Sequence, residues 1–232
     1  MALVFSPRLF KRIVSAAIIV PIVVAAILMG GIPFVLLVLT NAVIVMYEWF
    51  YLSLRSKHKH LILFLGVIYV SIAFWSCYLI RVDHGVRYAL LFVIMIWASD
   101  IGGYVFGKLI GGPKMAKTIS PNKTWAGFAG AAIFPMLGAN LFLHSYDYIY
   151  DIQTWDGITK VSLAMFFIGA IIGMVGQSGD LMISWFKRHV QVKDASTLIP
   201  GHGGLLDRVD AMMLAAPVFL FFISKFTYVF EN

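Results

Sequence analysis

The chain has 232 residues, 61% of them hydrophobic and 12% charged, with mean hydropathy +0.89 and net charge +7. A soluble domain carries about 25% charged residues, so a composition this apolar excludes one and points to a membrane protein over its whole length. The cations lie between apolar blocks, where membrane orientation accounts for them and no nucleic-acid partner is expected. The lone Cys77 excludes an intrachain disulfide and reads as a small apolar residue.

Seven apolar blocks follow one another, at roughly 13–29, 32–52, 61–80, 88–107, 125–143, 161–182 and 209–229. Each matches the roughly 20 residues that cross a hydrocarbon core, and each must be helical because lipid offers no partner to an exposed peptide group. The first follows Arg8, Lys11 and Arg12 and is long for a signal peptide, so it reads as an uncleaved anchor. Loop charge then alternates. The N-terminus (+3), loop 53–60 (+3 from Arg55, Lys57, Lys59), loop 108–123 (+4) and loop 183–208 (+2) are basic. The Gly30–Gly31 turn, loop 81–87 and loop 144–160 are neutral, weakly basic and acidic. Lys/Arg excess marks the cytoplasmic side. The expectation is an all-α, polytopic transmembrane bundle of about seven spans with a cytoplasmic N-terminus, in one domain over 1–232. Within it, 8–107 supplies N-terminal helices and 108–232 the part that carries chemistry.

Ionisable residues at membrane depth are expensive and usually face a bundle interior or a cavity. Glu48, close to the interface beside Trp49 and Tyr51, reads as a bond to a neighbouring helix rather than as a catalytic group. Asp100, in Trp97-Ala98-Ser99-Asp100-Ile101-Gly102-Gly103-Tyr104, reads equally as a packing residue or a substrate contact. The segment Ser120-Pro121-Asn122-Lys123-Thr124, after a basic glycine-rich stretch, is expected as a turn entering a helix. Free amides, hydroxyls and an ammonium there would cradle phosphate; a helix cap with solvated lysines is the plainer alternative.

The last loop is richer: Gly179-Asp180, Lys187-Arg188, Lys193-Asp194, Pro200-Gly201-His202-Gly203-Gly204 and Asp207-Arg208-Val209-Asp210. Its acids end two successive apolar blocks and can meet across one cytoplasmic loop, with hard oxygens that suit Mg²⁺. Asp207 and Asp210, three apart, share a helix face. Lys187, Arg188, Lys193 and Arg208 would neutralise a polyphosphate. His202 alone reads as a loop histidine. Metal-assisted phosphoryl or nucleotidyl transfer, which is mostly positioning and charge neutralisation, suits such a set.

The run Ser184-x-Phe186-Lys187-Arg188 … Lys193-Asp194-x-Ser196 … Ile199-Pro200-Gly201-His202-Gly203-Gly204-x-x-Asp207-Arg208-Val209-Asp210 closely resembles the signature of CDP-diacylglycerol synthases, also called phosphatidate cytidylyltransferases. Trp97–Asp100, Tyr104–Lys108 and Ser120–Trp125 resemble that family's other motifs in the same order, whereas Asn122 and Ala126 depart from them. The resemblance implies transfer of CMP from CTP to phosphatidic acid, giving CDP-diacylglycerol and pyrophosphate in a membrane, with the active site facing the cytoplasm of a bacterial inner membrane. It also implies Mg²⁺, K⁺ as a candidate helper, and a homodimer. Carried residue by residue, it puts metal at Asp180 and Asp207. Catalytic duty would fall on Asp180, Lys187, Arg188, Lys193, Asp194, His202, Asp207, Arg208 and Asp210. Substrate binding would fall on Asp100, Ser120, Pro121, Lys123, Thr124, Gly203 and Gly204. A CTP-dependent polyprenol or lipid kinase shares the nucleotide logic but moves the γ-phosphate. A transporter would place its acids at the bilayer midplane instead of one edge.

Overall fold

The computed structural model describes residues 7–149, 155–198 and 203–230. Each of the seven apolar blocks lies inside a helix: α1 (Pro7–Met29), α2 (Gly31–Ser53), α3 (Lys59–Asp83), α4 (Gly85–Leu109), α5 (Trp125–Ile149), α6 (Trp155–His189) and α7 (Leu206–Phe230). Five of them, α2 to α6, are by themselves long and apolar enough to cross a membrane. The described apolar stretch of α1, Ala17–Met29, is shorter, and α7 begins with the charged Asp207, Arg208 and Asp210. Large apolar side chains point outward on several helices, Ile32, Leu141 and Phe64 among them. Soluble monomers rarely expose contiguous apolar surface of this kind; hydrocarbon removes the penalty.

Ser120-Pro121-Asn122-Lys123-Thr124 is not the expected turn. It forms strand β2 (Ser120–Thr124), paired antiparallel with β1 (Lys114–Ala116) in the register Lys114↔Thr124 and Ala116↔Ser120. Pro121 lacks an amide proton, which a two-stranded hairpin tolerates because both its strands are edges. The strand runs directly into α5. Thr124 caps that helix, its Oγ1 accepting the Gly127 amide at 3.1 Å.

Glycine lets α4 and α5 cross at backbone contact. A Cβ on Gly102 would lie 2.3 Å from the Gly130 carbonyl oxygen, and one on Gly130 2.4 Å from that of Gly102. Association in lipid relies on close packing of small residues because no hydrophobic effect acts between helices there. Behind this crossing, Leu91 and Met95 of α4, Met165 and Ile172 of α6, and Phe219 and Ile223 of α7 are sealed from solvent.

Glu48 bonds a neighbouring helix, as its position near the interface suggests. It is 2% exposed. Its Oε1 accepts the Leu205 amide at 3.0 Å and the Ser196 hydroxyl, and its Oε2 accepts the Leu206 amide at 2.7 Å. Leu206 opens α7, so a carboxylate from α2 takes the amides that a helix start leaves unpaired and faces the positive end of its dipole. Hydrogen bonds to a charged group contribute about 1.5–3 kcal/mol each, against about 1 for neutral ones. Glu48→Gln should therefore destabilise the protein by about 2 kcal/mol, read as a lowered Tm in detergent. An unchanged Tm would remove the carboxylate from this role.

Candidate active site

The hairpin, the end of α4 and the start of α5 close over α6 to form a polar cavity of about 220 Å³. Its lining includes Asp100, Tyr104 and Gly107 from α4, Asn122 and Lys123 from β2, and Gln177 and Asp180 from α6. Lys123 is drawn inward: its Nζ lies 2.7 Å from Asp180 Oδ2 and donates to the Gln177 carbonyl at 3.3 Å. Asp180 Oδ1 accepts the Ser184 hydroxyl at 3.1 Å. Asp210 of α7 is buried beside it, and the two carboxyls are within hydrogen-bonding reach of one another. Asp100 completes the group, in the electrostatic field of Asp180, Lys123 and Arg208. Three carboxyls and two cations thus converge from four elements, α4, β2, α6 and α7, at one end of the bundle.

A second polar group sits in the last loop. Asp207 Oδ1 pairs with Lys187 Nζ at 2.5 Å, and Oδ2 accepts the Ala195 and Gly204 amides, each at 2.9 Å. The clasp needs Gly203, whose φ is +87° and whose Cβ, were there one, would lie 2.8 Å from Asp207 Oδ2. Asp207 and Asp210 thus both reach α6 from the start of α7, Asp207 at Lys187 and with its second oxygen on the loop amides, Asp210 at Asp180. Arg188 ties α6 to the hairpin, its Nε donating to the Ile119 carbonyl at 3.3 Å and its Nη1 to that of Val192 at 2.8 Å. Lys193 and Asp194 are exposed in the loop, as is Pro121 on the hairpin; Ser120 is half-buried. His202 lies outside the described residues.

Two members of the site escaped sequence reasoning. Gln177 precedes Asp180 by three positions on α6, so helical spacing alone could have placed it on the same face. Tyr69 of α3 carried no such signal; its buried hydroxyl has no partner among the described residues and feels the charge of Asp210.

Among the described residues, no three or more Asp, Glu, His or Cys side chains form a ready-made metal cage. Mg²⁺ typically binds through one or two carboxylates, with water and substrate phosphates completing the shell. The adjoining hard oxygens of Asp180 and Asp210 fit that requirement. Asp207 would add an oxygen only by giving up Lys187 or a loop amide.

Similarity to known proteins agrees with this geometry. The profile of the Cytidylyltransferase family matches residues 53–226, which include every one of these groups except Glu48. The protein named phosphatidate cytidylyltransferase in Staphylococcus haemolyticus is 38% identical over 154 residues, 66% of this chain and 55% of that one. Those of the same name in Rickettsia felis and Rickettsia bellii are 35% and 33% identical over 217 residues, covering 94% of this chain and 92% and 91% of theirs. The match thus spans little more than half of the staphylococcal relative and nearly all of the rickettsial ones. With a family profile matched over most of its length and its acids and cations gathered at one polar cavity, the chain belongs to the Cytidylyltransferase family.

Proposed function

We propose that this chain transfers CMP from CTP to phosphatidic acid, releasing pyrophosphate and leaving CDP-diacylglycerol in the membrane. The observation that carries the proposal is the polar cavity, where Lys123 and carboxyls from three helices converge at the edge of an apolar bundle. A phosphate oxygen of the lipid attacks the α-phosphorus of CTP; the new P–O bond forms as the bond to pyrophosphate breaks. A phosphomonoester has a second pKa of about 6, so the nucleophile is already largely dianionic near neutrality and His202 is not required as a base. What the protein must supply is alignment and charge neutralisation. Lys123 holds nucleotide phosphate within the cavity, exchanging Asp180 for it. Arg208 faces the lipid phosphate, and Tyr104 and Gln177 bound the cavity beside them. Arg188 keeps the hairpin over α6. The Lys187–Asp207 clasp holds the last loop so that Gly203 and Gly204 bring their backbone close. Mg²⁺, held by Asp180 with Asp210, and with Asp207 if the clasp opens, would neutralise the triphosphate and polarise its α-phosphate. K⁺ assistance and a homodimer follow from the family resemblance.

The reaction is tested with purified protein, phosphatidate, Mg²⁺ and CTP labelled at the α or the γ position. The α label should enter lipid and the γ label should appear as pyrophosphate. Lipid carrying the γ label would make the protein a kinase.

The two polar groups predict different failures. Asp180→Asn should lower kcat by orders of magnitude while leaving Tm nearly unchanged. Asp207→Asn should lower Tm as well as turnover, because the buried pair loses its charge and the single amide oxygen can serve Lys187 or the two loop amides but not both. An Asp180 variant with near-normal turnover at ordinary Mg²⁺ would take that residue out of the site.

All seven helices are assigned as spans in a bacterial inner membrane, with the N-terminus, loops 53–60, 108–123 and 183–208, and the active site in the cytoplasm. The supporting feature is the Lys/Arg excess of those segments. In a Cys77→Ala background, Lys57→Cys and Lys114→Cys should resist an impermeant thiol reagent added to intact cells, and Asp151→Cys should react. Labelling of Lys114→Cys from outside would overturn the orientation and the supply of CTP with it.

A further inference from the structure

Asp100 borders two cavities. One is the polar cavity. The other, of about 310 Å³, runs between α1, α2, α4 and α7, and among the described residues its charged lining is Asp100 and Arg208. The rest of its wall is apolar apart from Asn41, whose Nδ2 donates to the Leu37 carbonyl of its own helix at 2.7 Å. A further chamber of about 130 Å³ continues from it, the two sharing Val23, Asn41, Phe92, Val93, Val209 and Met212. Among the described residues that chamber has no charged lining, and it reaches Phe34, Cys77, Ile80 and Ala89. A charged mouth, an apolar body and an apolar far end lie in line.

The mouth is also divided by charge. Lys123 lines the polar cavity and Arg208 the apolar one, with Asp100 between them. One cation therefore serves each side of the carboxylate, and two phosphate groups, one per cavity, would be brought together there. A neutral apolar ligand would leave Arg208 unused; an anionic headgroup on a hydrocarbon tail satisfies mouth and body together.

The outer wall suits entry from the bilayer. Among the described side chains of α1 only Ala26 and Ile27 are buried, whereas Ile18 and Ile22 are more than half exposed. Arg81 Nε donates to the Ile27 carbonyl at 2.7 Å and pins α1 beside the far chamber. The mouth end of α1, around Ile19 and Val20, has no such tie among the described hydrogen bonds.

We propose that this cavity is the subsite for one acyl tail of the phosphatidate, with Arg208 on the lipid phosphate and the Cys77–Ala89 end setting the tail length accepted. This rests on the cytidylyltransferase reading, and binding is therefore measured apart from turnover. The probe is phosphatidate with a diazirine near the methyl end of one acyl chain, photolysed with the protein in nanodiscs. Adducts should map to Phe34, Cys77 or Ala89 and be competed by unlabelled phosphatidate but not by phosphatidylcholine. Adducts confined to outward residues such as Ile32 and Leu36, or competed equally by both lipids, would overturn the subsite. Competed labelling of the chamber without CMP transfer would leave the subsite standing and defeat the reaction instead. The length rule is read from Cys77→Leu, which fills the far end. One methylene in an apolar pocket shifts discrimination roughly 10- to 200-fold, so the ratio of kcat/KM for dioctanoyl over dipalmitoyl phosphatidate should rise about tenfold or more. An unchanged ratio in active Cys77→Leu protein would overturn the assignment of that end as the ruler.

Discussion

The polar end of this protein answers to one constraint: three carboxyls, Asp100, Asp180 and Asp210, are held near one another at one end of a largely apolar bundle. Like charges at close range in a poorly polar setting repel strongly unless cations stand among them. Lys123 supplies the nearest, 2.7 Å from Asp180, and it can do so only because Ser120–Thr124 is extended and paired with Lys114–Ala116. The hairpin in turn needs Arg188, which grips the Ile119 carbonyl from the end of α6. The carboxyl cluster, the small sheet and the last turn of α6 are therefore one electrostatic unit.

Glu48 and Asp207 do a different kind of work with the same functional group. Both have partners for both oxygens, and those partners are largely backbone amides of the segment between α6 and α7. Between them they fix where α7 begins, and the start of α7 decides where Arg208 and Asp210 stand. An error of one residue at that helix start would rotate Asp210 by about 100°, away from Asp180. The carboxylates bonded to the loop thus set the register of those at the cavity.

The apolar architecture was legible in the sequence because hydrocarbon leaves the backbone a single option, so that block length alone identified seven helices. The polar end was legible in membership but not in pairing. Helical spacing put Asp207 and Asp210 on one face, and both meet α6, yet no local rule tells that one finds the cation Lys187 and the loop amides while the other finds the carboxyl of Asp180. Ser-Pro-Asn-Lys-Thr carries strong turn chemistry; its extension into β2 depends on a partner strand that is itself only Lys114–Ala116. Tyr69 was illegible for a related reason. Nothing in a mid-span tyrosine announces that α3 lies behind Asp210.

On the proposed reaction, the arrangement lets one helical bundle take two substrates of opposite solubility. CTP requires water and cations; a diacyl phosphate requires hydrocarbon for its tails and a cation for its head. A shared pocket would have to be both, and each ligand would meet the other's lining as an unsatisfied environment. Here the division falls at Asp100, with the polar lining and Lys123 on one side and the apolar lining and Arg208 on the other. Each ligand would then be desolvated only at its phosphate, where the two must meet. Alignment of attacking and departing groups accounts for much of a phosphoryl-type transfer, and a boundary at Asp100 would bring the two phosphates together there while their other parts stay in separate cavities. The Gly102–Gly130 crossing lies within one turn of Asp100 along α4, so the closest backbone contact between α4 and α5 stiffens the wall at the residue that divides the two cavities.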